Sequence, residues 1–123
     1  MQPLNVVVAT RDSQAASGLA ASLNRHFRSV SFASSADEAR SAIPKHRAEF
    51  AVVDLETVPL SEVRKLCHEF DHTRVVCVHR LADEEMWAQA LSAGAIDCCQ
   101  SADVAGIVQA VDRNLRLSRS SAA

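Results

Sequence analysis

The stretch EFAVVDLETVP, Glu49 to Pro59, sets the architecture of the chain. Phe50-Ala51-Val52-Val53 runs unbroken into Asp54, and Pro59 with the polar Ser61-Glu62 closes the segment. A short valine-rich run without alternation reads as a strand buried on both faces, the kind found in parallel sheets covered by helices. Asp54 then stands at the carboxyl end of that strand, where open α/β sheets place their sites. Asp is also a favoured turn residue, so on this segment alone a local capping role accounts for it as well.

Upstream, Leu4 to Ala9 (LNVVVA) repeats the buried-strand signal, and Thr10-Arg11-Asp12-Ser13 breaks it. Asp12 or Ser13 suits the N-cap of a helix. Ala16, Leu19, Ala20, Leu23 and Phe27 form its apolar stripe. Ser29 to Ala33 alternates polar and apolar, which predicts an edge strand with one wet face. Ser35 and Glu38 have capping-box spacing for a helix through Ile43, with Pro44 as its stop.

Downstream, Leu60, Val63, Leu66, Cys67 and Phe70 make another helical stripe, and Arg74 to His79 (RVVCVH) a fourth strand. Asp83-Glu84-Glu85 places acids in the first turn of a helix, as the macrodipole favours, with Met86, Trp87, Ala90 and Leu91 apolar. Gly94 has the position of a C′ glycine. Ala95 to Cys99 reads as a fifth strand, Ser101 as an N-cap, and Val104, Ile107, Val108, Val111 and Leu115 as the last stripe.

Five alternating β-α units predict an α/β fold: a single three-layer, doubly wound (βα)5 domain. Its five-stranded parallel sheet takes the flavodoxin-like order 2-1-3-4-5. The domain is expected over 1–118, with 119–123 a tail or the start of a linker to an output domain. In this order the first and third strands are neighbours, so Thr10, Arg11 and Asp12 face Asp54.

A chain of 123 residues suits one domain, and 48% hydrophobic content excludes disorder. A net charge of −2 offers no basic face for nucleic acid. No apolar run approaches the roughly 20 residues of a membrane span. The N-terminus lacks a charged n-region, so a cytoplasmic protein is expected. Four cysteines without a CxxC pair point to small core hydrophobes, and Cys67-His68 with His72 lacks the paired spacings of a zinc site. Cys77 and Cys98-Cys99 fall on neighbouring strands, which raises a redox role; adjacent cysteines rarely bridge each other, and inert buried thiols are the simpler reading.

With VVDLETVP around Asp54, AGAIDCC at the last strand, this length and the five-unit order, the chain resembles the receiver domain of bacterial two-component response regulators over essentially its whole length. The resemblance implies that Asp54 occupies the position that accepts a phosphoryl group from a histidine kinase, with Pro59 near the family's proline. The other chemical positions depart from the family. Its magnesium-holding acidic pair falls at Ala9-Thr10, with Asp12 nearby. Its hydroxyl residue after strand 4 is His79, followed by Arg80 where the family keeps a small residue. Its lysine falls at Ser101, beside Gln100, and its switch aromatic at Cys98.

Phosphoryl transfer is mostly positioning and charge neutralisation, and magnesium requires hard oxygen ligands. The substitutions therefore predict a degenerate pseudo-receiver. It would be a phosphorylation-independent interaction or dimerisation module, without enzymatic turnover or cofactor. Arg80 or Arg11 could enter the acidic pocket and pair with Asp54 through two hydrogen bonds, although most arginines stay exposed and the simpler reading leaves both on the surface. By resemblance, partners are a histidine kinase, an output domain or a second copy. They would meet the face of helix 4, strand 5 and helix 5, where Trp87, Cys98 and Arg113 lie with Glu84, Glu85 and Arg116; for Trp87 core packing is the competing role. Two further readings stand. Asp54 could be a working phosphoacceptor in a phosphorelay, with Asp12 or Glu56 completing a magnesium shell. The chain could also be a small ligand-binding flavodoxin-like domain, although the glycine-free turn Ala9 to Ser13 does not suit a phosphate loop.

Overall fold

The computed structural model describes the backbone of residues 2–122 and the side chains of residues 4–114. Ten elements alternate: β1 (Gln2–Ala9), α1 (Ser13–Leu23), β2 (Phe27–Ala33), α2 (Ala36–Lys45), β3 (Phe50–Asp54), α3 (Leu60–Glu69), β4 (Arg74–His79), α4 (Glu84–Ser92), β5 (Asp97–Gln100) and α5 (Val104–Ala122). The strands form one sheet in the order β2-β1-β3-β4-β5, every pair parallel, as the sequence predicts.

Because strand side chains alternate, each valine-rich strand feeds two cores. Val7, Ala9, Ala51, Val53 and Cys77 pack on one side with residues of α2, α3 and α4. Val6, Val8, Phe50, Val52 and Val76 pack on the other with residues of α1 and α5. The edge strand β2 buries its ends, Phe27 and Ala33, while Phe32 is left half exposed. Between the helices, Arg40 of α2 meets Glu62 and Glu69 of α3, both at 2.9 Å.

Several boundaries differ from the expectation. Phe27 opens β2 instead of closing the α1 stripe: Asn24 caps the helix, and four-residue spacing from Leu23 mimics a helical position for a residue that the sheet core takes. Pro44 lies inside the last turn of α2, which ends one residue later. β5 starts at Asp97, because the Ala95 amide still donates to Ala90 O at the exit of α4. Ser101 does not cap α5. Its amide donates to His79 O and prolongs the β4–β5 pairing, while Asp103 Oδ1 accepts the Gly106 amide at 3.0 Å and does the capping. Asp12 and Ser35 do cap α1 and α2, and Gly94 takes φ +110° as a C′ glycine does. The backbone of α5 continues beyond the expected limit at 118, and the side chains of Leu115, Arg116 and 119–123 lie outside those described. Among the described residues no helix is long and apolar enough to cross a membrane.

Candidate functional site at the carboxyl edge of the sheet

The register Ala9↔Val53 between β1 and β3 fixes the centre of the site. One residue further along each strand, Thr10 and Asp54 emerge side by side. Thr10 Oγ1 donates to Asp54 Oδ2 at 2.8 Å, and the Glu56 amide donates to Asp54 Oδ1 at 2.9 Å. Both carboxylate oxygens are thus engaged by the chain itself. Thr10 is buried, the one buried polar residue among those described, and its hydroxyl oxygen also accepts the Asp12 amide at 3.1 Å.

Asp12 spends its carboxylate on the first turn of α1, where Oδ1 accepts the amides of Gln14 and Ala15. Arg80 Nε donates to Glu56 Oε1 at 2.8 Å, and His79 Nε2 lies 3.5 Å from the same oxygen. His79 Nδ1 accepts the Leu81 amide, so the ring proton sits on Nε2, facing Glu56. The Arg80 guanidinium holds the Glu56 carboxyl below its usual range, and Glu56 raises Arg80, with a smaller pull from Asp12 and Asp54. Opposite, Gln100 Nε2 donates to Ala82 O at 2.6 Å and straps the β4–α4 loop to β5.

The fold therefore gathers Thr10, Asp12, Asp54, Glu56, His79 and Arg80 at one edge, with Ser101 on the adjacent loop. Of the two readings of the arginines, it removes the pairing with Asp54 and leaves both side chains largely exposed. Arg80 turns to Glu56, donating from Nε to Glu56 Oε1 at 2.8 Å, and makes no hydrogen bond to Asp54. Arg11 is exposed and joins the site through its backbone, which donates to Thr57 Oγ1 at 2.9 Å. Thr57 and the Gln100 strap are contributions that the sequence does not announce. Both act through backbone atoms of their partners, which leave no pattern in the sequence.

These residues do not fit a magnesium ion. Ala9 and Thr10 supply no carboxylate, Asp12 is committed to a helix cap and Glu56 to Arg80. Asp54 alone would hold the ion by a single anionic ligand with water filling the rest of its shell, which makes a weak site. Among the described residues no group of three or more His, Cys, Asp or Glu side chains could hold a metal.

A second feature lies on the α4–β5–α5 face. Trp87 is 47% exposed, and its Nε1 donates to Asp97 Oδ1 at 3.2 Å. Asp97, Cys98, Gln100 and Arg113 line the same groove. The core role weighed for Trp87 is not the one it takes.

Superposition on solved structures settles the fold family. The signal receiver domain of the response regulator NarL from Mycobacterium tuberculosis matches with a TM-score of 0.79, at 20% identity over 94% of this chain and 98% of that one. The chain folds as a response regulator receiver domain. A response regulator protein from Burkholderia pseudomallei, with a phosphorylated aspartic acid, calcium ion and citrate, gives 0.79 at 27% identity, covering 98% and 73%. The CheX-CheY-BeF3-Mg complex from Borrelia burgdorferi gives 0.81 at 19%, covering 93% and 90%. No protein-family model matches this chain, and no curated protein matches it significantly.

Proposed function

We propose that this receiver is an atypical signalling module that works through protein contacts without phosphorylation of Asp54. The observation that carries the reading is the lack of a second uncommitted carboxylate beside the acceptor: Thr10 and the Glu56 amide each donate to one oxygen of Asp54, Asp12 caps α1, and Glu56 pairs with Arg80. A phosphoryl group there would meet no fixed ammonium, since Ser101 stands where the family resemblance puts lysine. No nucleophile with a base and an orienting group supports turnover.

In this reading the module is cytoplasmic. Its partner is a kinase, an output domain or a second copy, held on the Trp87 face. The half-exposed indole beside Arg113 suits such a contact, since Trp and Arg are enriched at interface centres.

A working phosphoacceptor is the second reading. The phosphorylated aspartic acid of the Burkholderia protein favours it, as does Asp54 at the open end of β3. Intact mass spectrometry after incubation with magnesium and acetyl phosphate separates the two. The first reading expects no phosphoryl gain. A gain that disappears in Asp54→Ala establishes the second.

A further inference from the structure

All four cysteines are free, and they are not evenly placed. Cys77 belongs to the core under α2, α3 and α4, and Cys67 and Cys98 pack against that same cluster. Cys99 packs on the opposite side of the sheet. Cys77 and Cys98 are register partners on the paired parallel strands β4 and β5. Partners of this kind point to one face. Neighbouring strands lie about 4.8 Å apart. A disulfide spans Cα separations of about 4.4–6.8 Å and wants its Cβ atoms about 3.8 Å apart. Closure therefore needs a movement of about 1 Å, and the small strain that results leaves such a bond easy to reduce. Exposure divides the roles. Cys77 is 0% exposed, whereas Cys98 is half-buried and lines the Trp87 groove.

We infer that Cys98 and Cys77 form a reversible cross-strand disulfide by exchange with a low-molecular-weight disulfide such as oxidised glutathione. The Cys98 thiolate attacks one glutathione sulfur, the glutathione S–S bond breaks, and the first glutathione leaves and takes up a proton. Cys77 gives its proton to water and attacks the Cys98 sulfur of the mixed disulfide, and the second glutathione leaves as a thiol. Two protein thiols are oxidised and one glutathione disulfide is reduced. Burial raises both thiols, so the exchange runs faster as pH rises.

The bond has a path to the surface. Asp97 Oδ1 accepts the Cys98 amide at 2.8 Å and the Trp87 indole N–H at 3.2 Å. Drawing Cys98 toward β4 shifts the atom that holds Trp87, so oxidation reshapes this groove whatever the state of Asp54.

The test uses the full reduced chain incubated with oxidised glutathione. The expected result is a mass loss of two hydrogens without a glutathione adduct, a cross-linked peptide pair holding Cys77 and Cys98, and a changed emission from Trp87, the only tryptophan. Dithiothreitol reverses all three. Cys99→Ser keeps them and Cys98→Ser abolishes them, while Cys77→Ala stops at a glutathione adduct on Cys98. Four thiols that remain open to alkylation overturn the inference. So do a stable adduct on Cys98 in the unaltered chain, a link from Cys67 to Cys98, and a disulfide between two copies.

Discussion

Arg80, just after β4, and Glu56, in the turn after β3, form a 2.8 Å ion pair across the mouth of the site. The pair ties the two loops that flank Asp54 without touching Asp54. It has a titration signature. Glu56 has a folded value below its ordinary 4.5, mainly through the hydrogen bond from Arg80. A depressed acid adds stability above its unfolded value and loses it as pH falls through the folded one. The contribution of the pair to stability is thus complete above about pH 4.5 and is lost as pH falls from there through the lower folded value. An NMR titration of the Glu56 carboxyl should show a low midpoint, and Arg80→Ala should return it to the ordinary range.

Replacing Thr10 by Asp tests the lack of a second carboxylate beside the acceptor. The Thr10 hydroxyl lies 2.8 Å from Asp54 Oδ2, so Thr10→Asp sets two carboxylates side by side. Like charges at that distance disfavour each other. The variant should melt lower than the unaltered chain without metal and recover with millimolar magnesium. The melting temperature of the unaltered chain should ignore magnesium. Thermal scans with and without the ion check both.

Gly94 should tolerate no side chain. Its φ is +110°, and an added Cβ would lie 2.8 Å from Cys67 Cβ. Strained backbone of this sort costs about 1–3 kcal/mol. Gly94→Ala should therefore lower the urea midpoint, and Gly18→Ala, in a helix and with nothing within 4 Å, should raise it slightly.

Two aromatic residues should part company under truncation. Phe50 is 0% exposed, with the Arg74 guanidinium 5.8 Å from its ring centre. Phe50→Ala should cost about 3–5 kcal/mol in urea unfolding. Trp87 is 47% exposed and buries only about half of its indole, so Trp87→Ala should cost less, about 1–2 kcal/mol. Loss of a protein partner by Trp87→Ala, read by pull-down against the folded variant, would mark the groove as the contact.

The fold was legible because burial on both faces leaves a plain mark: FAVVD and VVVAT carry no polar residue until the strand ends, and the alternation in SVSFA marks the edge. The strand order followed from counting units. Boundaries were less legible where two patterns claim one residue, as at Phe27, or where a strand continues under polar letters, as at Ser101. At the site, the sequence named the residues that meet but not the partners they choose. The choice of Arg80 between Glu56 and Asp54 depends on where the loops after β3 and β4 set the three side chains, and that is a property of the packed loops.

The place of β1 between β2 and β3 also governs how the chain is made. A strand synthesised early must wait for a partner 44 residues later, the separation of Thr10 from Asp54. At about 5–20 residues per second, β1 stays half-paired for roughly 2–9 s during synthesis. Its valines are a ready template for wrong pairing in that interval. The local β1–α1–β2 unit is then the first shelter available to them.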